Sequence, residues 1–469
     1  MIARLGRVLS AIFARTVPDP FVLAVLLTLA TGAMAWGWGS FQPAVGTPAG
    51  ASQLTHIIDA WRGPSGLWRF LGFGMQMCLI LVTGHALAES RPVRFLILNA
   101  ARLPRGPASA AALVSLVAMG FGLVNWGLGL IVGALLARDV ARSLESRGVR
   151  VHAPLLAAAG YTGMLVWHGG FSGSAPLTMV SAAEAAKVLP ADTGLLLAGS
   201  LGEGWTMDLS RTLLSPMNLF VTGGLLVLVP ALLVLLTPRG AEPVSPMPGE
   251  EDLFEDPALP FRTVPEWLER TPLVPVLLSG LIFWAMVRFH QEGSLLGVGL
   301  NEVNLMMLAL GLLAHGSVRS YVGAAERGAR GCAGVILQFP LYAGIMGMLA
   351  ASGLIGLFSG AMASNASAQT LPLLTFLSAG VVNLFVPSGG GQWAIQGPIA
   401  IEAGLALGVP PYKMVMAVAY GDQLTNMLQP FWALPLLAIT GLKARDIVGY
   451  TAIVMVVAGA WMALGLLLF

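Results

Sequence analysis

The chain has 469 residues, of which 56% are hydrophobic and only 10% charged, and its formal net charge is +2. Ordinary soluble domains carry roughly 25% charged residues, so this composition excludes a soluble enzyme or binding module. The basic residues form no block, which excludes a nucleic-acid partner, and the two cysteines, Cys78 and Cys332, both lie inside apolar runs and imply neither a disulfide framework nor a metal cluster.

Residues 1–15 place Ile2, Leu5, Leu9, Ile12 and Phe13 on one helical face and Arg4, Arg7 and Ser10 elsewhere, which predicts an interfacial helix. No small-residue cleavage site follows; Pro18-Asp19-Pro20 instead opens a long apolar run. Apolar stretches of about 20 residues, enough for a helix to cover the hydrocarbon thickness, then recur. Spans are predicted at 20–38, 66–88, 152–172, 218–237, 273–290, 303–316, 332–359, 412–435 and 447–469. The predicted fold class is therefore an all-α polytopic membrane protein, with the lipid bilayer as partner and the inner membrane as location.

Two further apolar stretches, 108–137 and 371–407, carry a polar, Gly-containing interruption that leaves arms of about 13–16 residues. Each is predicted to be a re-entrant helical hairpin. Lys and Arg collect in cytoplasmic loops, and with the N-terminus inside and both stretches drawn as hairpins, 19 of the 25 basic residues fall on that side. Five spans separate the hairpins, so they are expected to insert from opposite faces. The acidic stretch 238–272, with Glu250, Glu251, Asp252, Glu255 and Asp256, reads as a cytoplasmic linker between an N-terminal half, 1–237, and a C-terminal half, 273–469.

The halves echo each other. Gly122 and Asn125 in the first hairpin recur as Gly380 and Asn383 in the second, both 258 positions later; Tyr161 and Pro176 recur as Tyr420 and Pro435, 259 positions later. Each hairpin is followed by a segment broken by polar residues, 152–178 around Trp167-His168-Gly169-Gly170 and 412–435 around Gly421-Asp422-Gln423. Gly and Pro release backbone groups that must find partners away from water, and an ion or a carboxylate is a suitable partner. An inverted-repeat carrier with a midplane site is the predicted architecture, and a small organic anion its predicted cargo.

The stretches 125–142, 160–178, 383–398 (NLFVPSGGGQWAIQGP) and 420–437 (YGDQLTNMLQPFWALPLL) resemble the short-chain fatty acid transporter family. The likeness runs from Pro18 nearly to the C-terminus. It implies membership of the ion-transporter superfamily, a homodimer with a scaffold and a mobile transport domain, elevator-type alternating access, and butyrate, acetoacetate or a similar monocarboxylate as substrate.

The residues assign roles as follows. Asp422, a carboxylate inside a membrane segment, is expected to couple a cation, Na⁺ or H⁺, together with Thr425, Asn426 and the hairpin-tip residues Asn125 and Asn383. Oxygen ligands from Asn125, Asn383, Asp422 and Asn426 would suit Na⁺; no other cofactor is expected. Substrate contacts are expected from His168, Ser172, Gly173, Ser174 and Gln429, and from a nest of N–H groups at Ser388, Gly389, Gly390, Gly391 and Gln392. Trp126 and Trp393 are expected to wall the acyl tail. These tips hold no Arg or Lys, which favours a monocarboxylate over a C4-dicarboxylate, the chief alternative. A more distant alternative is an intramembrane serine hydrolase, because Gly170-Phe171-Ser172-Gly173 fits a GxSG pattern beside His168. No nucleotide-binding G-x-x-x-x-G-K-[ST] sequence occurs.

Overall fold

The computed structural model describes residues 18–41, 52–69, 71–180, 182–186, 189, 191–205, 207–238, 263–292, 300–364 and 366–469. The interfacial helix expected over 1–15 and residues 239–262 of the expected linker lie outside the described residues.

All regular elements among the described residues are helices. Five are long and apolar enough to cross a bilayer: Pro20–Trp38, Pro107–Val124, Pro216–Leu236, Val318–Ala351 and Ala444–Leu468. A sixth candidate joins Val264–Arg270 to Leu273–Arg288 across a 53° bend. Nine spans are expected from apolar runs alone, and two of them are broken. The stretch 152–172 holds only nine α-helical residues, Ala153–Tyr161, and 412–435 divides into Pro411–Thr425 and Pro430–Thr440. Large apolar side chains face outward: Leu277, Leu281 and Trp284, spaced along one face of Leu273–Glu292, are 64%, 61% and 67% exposed. Lipid, not water, suits such a face.

Each stretch expected to be a hairpin is a pair of helices joined at a short break. The first joins Pro107–Val124 to Trp126–Glu145 at Asn125, whose extended backbone ends one helix while its side chain caps the next. Its arms are 18 and 20 residues, longer than the expected 13–16, and at 1.5 Å per residue an 18-residue arm reaches about 27 Å. The second joins Leu371–Phe385 to Gly389–Ala406. There the three glycines open a helix instead of forming an irregular nest, because Ser388 Oγ accepts the Gly391 N–H at 3.2 Å and nucleates the turn.

The sequence echo is also an echo in packing. A Cβ added at Gly122 would stand 2.6 Å from the Gly163 carbonyl oxygen, and one at Gly163 would stand 2.7 Å from the Ala118 carbonyl oxygen. In the second half a Cβ at Gly421 would collide with the Phe376 carbonyl oxygen and stand 2.9 Å from Gly380 N. Phe376, Gly380 and Gly421 follow Ala118, Gly122 and Gly163 by the same 258 positions. In each half, then, the first hairpin arm meets the broken segment backbone to backbone, an approach only glycine permits.

This contact makes opposite predictions for glycines of one chain. Gly163→Ala and Gly421→Ala should each lose about 1–3 kcal/mol of stability through overpacking. Gly120→Ala, with nothing within 4 Å of the added methyl, should match or exceed the parent. Thermal unfolding of the three variants in detergent decides; equal midpoints would refute the glycine contact.

Candidate functional site

In the first break, Ala153–Tyr161 gives way to the tight turns Thr162–Leu165 and Trp167–Gly169, and helix resumes only for Ser174–Thr178. The freed backbone finds partners. Phe171 N–H donates to the Leu123 carbonyl at 2.7 Å, and Trp126 N–H, at the first hairpin tip, donates to Ser172 Oγ at 3.0 Å. In the second break, Pro411–Thr425 ends in the turn Asn426–Leu428, Gln429 is extended, and Pro430 starts Pro430–Thr440 without needing an N–H acceptor. Gln429 Nε2 donates to the carbonyls of Asn383 and Leu384, at 3.2 and 3.1 Å, and so closes the end of the second hairpin's first arm.

The two breaks are tied to each other reciprocally. Tyr161, from the first half, donates its hydroxyl to the carbonyls of Asn426 and Gln429 in the second break, at 2.8 and 3.0 Å. Tyr420, its counterpart in the repeat, donates to Asn218 Oδ1 at 3.0 Å, and Asn218 Nδ2 donates to the Gly169 carbonyl in the first break at 3.0 Å. A third tie runs from His168 N–H to Gln423 Oε1, 3.1 Å.

At the centre lies Asp422, 2% exposed, and His168, 1% exposed, with His168 Nε2 and Asp422 Oδ1 3.2 Å apart. This is an ion-pair distance, yet neither ring nitrogen of His168 and neither carboxylate oxygen of Asp422 is aligned in a hydrogen bond. Asn383 Nδ2 reaches three oxygens, Asp422 O at 2.8 Å, Thr425 Oγ1 at 3.0 Å and Asn426 Oδ1 at 2.9 Å, while its own Oδ1 is buried without a partner. Buried oxygens are ordinarily satisfied. Asp422 Oδ2 and Asn383 Oδ1 are buried without a hydrogen-bond partner, and Asp422 Oδ1 has only the His168 ring beside it. The second hairpin tip closes over these groups: a Cβ on Gly389 would stand 2.7 Å from His168 Nε2 and 2.8 Å from the Trp167 ring.

The expected residues therefore divide. Asp422, Asn383, Thr425, Asn426, His168 and Gly389 come together. Asn125 does not play the part of Asn383, because its Oδ1 already accepts Gly127 and Leu128 N–H at 2.9 and 3.2 Å. Gln392 turns into the second hairpin, donating to the Ala379 carbonyl and Gln396 Oε1, and Gly390 has open space around it. Gly173 packs against the His168 carbonyl, and Ser174 opens the short helix that follows. Trp393 is buried in a separate core cluster with Ile401 and Met414. Trp126 instead meets Trp432, ring centroids 4.9 Å apart, and Trp167, 6.3 Å apart, forming an aromatic wall beside both breaks. Sequence reading missed Trp167 and Trp432 as wall, and Tyr161, Tyr420, Asn218 and Gln423 as ties. The tyrosine offset marks the first pair of ties; nothing in the sequence marks Asn218.

Comparison with known proteins bears directly on this geometry. The family model described as "Short chain fatty acid transporter" matches residues 1–469. The chain belongs to the short-chain fatty acid transporter family. Two relatives carry the family's name: one from Escherichia coli (strain K12), 40% identical over 474 residues and covering 100% of both chains, and one from Haemophilus influenzae (strain ATCC 51907 / DSM 11121 / KW20 / Rd), 36% identical over 454 residues and covering 96% of both. Among solved structures, the YdaH transporter of Alcanivorax borkumensis is 17% identical, with TM-score 0.41 over 95% of this chain and 98% of that one. MtrF of Neisseria gonorrhoeae is 16% identical, with TM-score 0.39 over 97% and 94%.

This is a family of transporters and not of enzymes; Ser172 Oγ accepts the Trp126 N–H. The two tip asparagines should separate in stability. Asn125→Ala removes one helix cap, worth about 1 kcal/mol. Asn383→Ala deprives three buried or half-buried oxygens of their donor and should cost on the order of 3 kcal/mol. Denaturation of both variants in detergent measures this, and equal losses would contradict the assignment.

Proposed function

We propose that this family member is a secondary active transporter of short-chain monocarboxylates, such as butyrate or acetoacetate, driven by a cation bound at Asp422. The observation that carries the reading is the buried Asp422 carboxylate, which faces one histidine and leaves its oxygens short of hydrogen bonds. A membrane carboxylate costs a few kcal/mol or more unless it is paired or serves an ion path. Replacing a buried ion pair with well-packed apolar side chains is often neutral or stabilising, so such a pair is poorly explained by stability alone. H⁺ would be taken up on the carboxylate or the imidazole; Na⁺ would be held by Asp422 and Asn383 Oδ1.

Because His168 belongs to the first break and Asp422 to the second, a cation arriving at Asp422 changes what holds the two halves together. That supports coupling between cation occupancy and movement of the site. The site residues named above include no Arg or Lys, which favours one carboxylate per substrate. Oppositely inserted hairpins, elevator-type movement, a homodimeric assembly and an inner-membrane location complete the proposal; the repeated packing of hairpin on broken segment supports the first of these.

Two experiments test it. Asp422→Asn keeps size and an acceptor oxygen but removes the charge. It should retain substrate binding while losing gradient-driven accumulation in proteoliposomes and its dependence on cation concentration; accumulation equal to the parent's would remove Asp422 from coupling. For topology, a cysteine at exposed Ser367 should react with an external thiol reagent, and one at exposed Ser146 only after permeation. Identical behaviour would refute opposite insertion.

A further inference from the structure

Between the apolar helix Leu71–Glu89 and the first hairpin lies the helix Arg91–Arg102, with the sequence RPVRFLILNAAR. At 1.5 Å per residue it reaches about 18 Å, too short to cross the hydrocarbon, and it links the end of one apolar helix to Pro107, the start of another. A short amphipathic link of this kind lies along the membrane surface. One side faces the protein: Ala101 is fully buried, and Ile97 and Ala100 pack against the main core. The other side carries Phe95 and Leu96, each 65% exposed, and Leu103, just past the last turn, is 69% exposed. Positive charge accompanies this apolar side. Arg91, Arg102 and Arg105 are exposed, and Arg147, just beyond the hairpin's second arm, donates to the Arg102 carbonyl at 3.3 Å.

Little negative charge offsets these arginines. No acidic residue occurs from Arg91 through Arg138, and Glu89, just before the helix, is held by Arg327 and His85. Of the two carboxylates on the hairpin's second arm, Asp139 is buried against Arg138 and only Glu145 is exposed. The matching link in the second half differs in kind. Leu354–Ala363 joins Ala333–Ala351 to the second hairpin and contains no charged residue. It too exposes an apolar side chain, Leu357 at 50%, but has nothing with which to hold an anion. Joining a span to a hairpin therefore does not require arginine.

We infer that Arg91–Arg102 is a docking surface for anionic phospholipid, with Phe95, Leu96 and Leu103 among the acyl chains and the guanidiniums of Arg91, Arg102 and Arg147 on the headgroup phosphates. Arginine suits that task, because its stem runs along apolar surface while its planar head makes paired hydrogen bonds to phosphate oxygens. Each basic group near an anionic membrane surface is worth roughly fivefold in affinity. The helix packs along the hairpin arm Trp126–Glu145 and leads into Pro107, so lipid bound here holds the first hairpin at that face of the membrane. Neither cargo nor coupling ion enters into this binding.

The test places a fluorophore on a cysteine at Asn99, which is exposed one turn from Phe95, Leu96 and Arg102, in the full-length protein, whose native cysteines are both buried. The protein is reconstituted in phosphatidylcholine bilayers that contain a small fraction of phosphatidylglycerol or phosphatidylcholine spin-labelled near the headgroup. Quenching is read at low salt and at about 1 M salt, where the Debye length falls to about 3 Å. At low salt phosphatidylglycerol should bind beside the fluorophore with roughly fivefold higher affinity or more, and at high salt the difference should vanish. Arg91→Gln/Arg102→Gln, at exposed positions, should unfold at the parent's temperature and lose most of the preference. A fluorophore at Leu357 should show no preference, and soluble glycerol phosphate should not compete at Asn99. Equal quenching by the two lipids at low salt, or a preference that survives in the double variant, would overturn the assignment. Quenching by neither would show that protein, such as a second copy of the chain, covers the helix, and would overturn it too. Competition by glycerol phosphate would replace lipid by a free phosphate compound as the ligand.

Discussion

The rest of the structure is arranged around one unfavourable placement, a carboxylate at Asp422 sealed from water with His168 3.2 Å away. At that depth Coulomb attraction is strong, but so is the cost of removing both groups from water, and a pair of this kind does not stabilise a fold by its presence alone. Its position explains more than its energy. The two residues come from the two broken segments, so the pair spans the boundary between the halves of the chain, and whatever changes the charge on either residue changes the force across that boundary.

The surrounding structure braces this boundary through backbone contacts and hydrogen bonds. In each half, glycine lets a hairpin arm press against the backbone of a broken segment, at Gly122 and Gly163 in one and Gly380 and Gly421 in the other. Each half's tyrosine then donates into the partner half's break, Tyr161 directly and Tyr420 through Asn218. These bonds satisfy carbonyls that the breaks release, which would otherwise be costly in a medium without water. What they do not satisfy is the Asp422 carboxylate and the Asn383 oxygen, which stay buried without hydrogen bonds.

Much of this was legible in the sequence. Composition and apolar periodicity carry the membrane class, and the 258-residue offset carries the repeat, because close packing without side chains demands glycine at fixed positions in both halves. Pro430 and the Gly169-Gly170 pair mark the breaks, since neither residue type supports an uninterrupted helix. The breaks within spans were less legible: hydropathy does not register a change from α-helix to tight turns inside an apolar run, as at Thr162–Leu165. Side-chain direction was the least legible. Asn125 and Asn383 occupy matching places, yet one caps a helix and the other tethers a break, and Trp393 points into a hairpin core while Trp432, which sequence reading passed over, joins the aromatic wall. Such differences depend on rotamers and neighbours from distant parts of the chain.

The account stands or falls on whether this molecule converts a cation gradient into a gradient of small carboxylates. The direct measurement is uptake of labelled butyrate and acetoacetate into proteoliposomes, with Na⁺ and pH gradients imposed separately, and with a labelled C4-dicarboxylate alongside. The account predicts accumulation of the monocarboxylates above the external concentration under one of the two gradients, and none of the dicarboxylate. Simple equilibration of the monocarboxylates under both gradients, or preferential accumulation of the dicarboxylate, would contradict it.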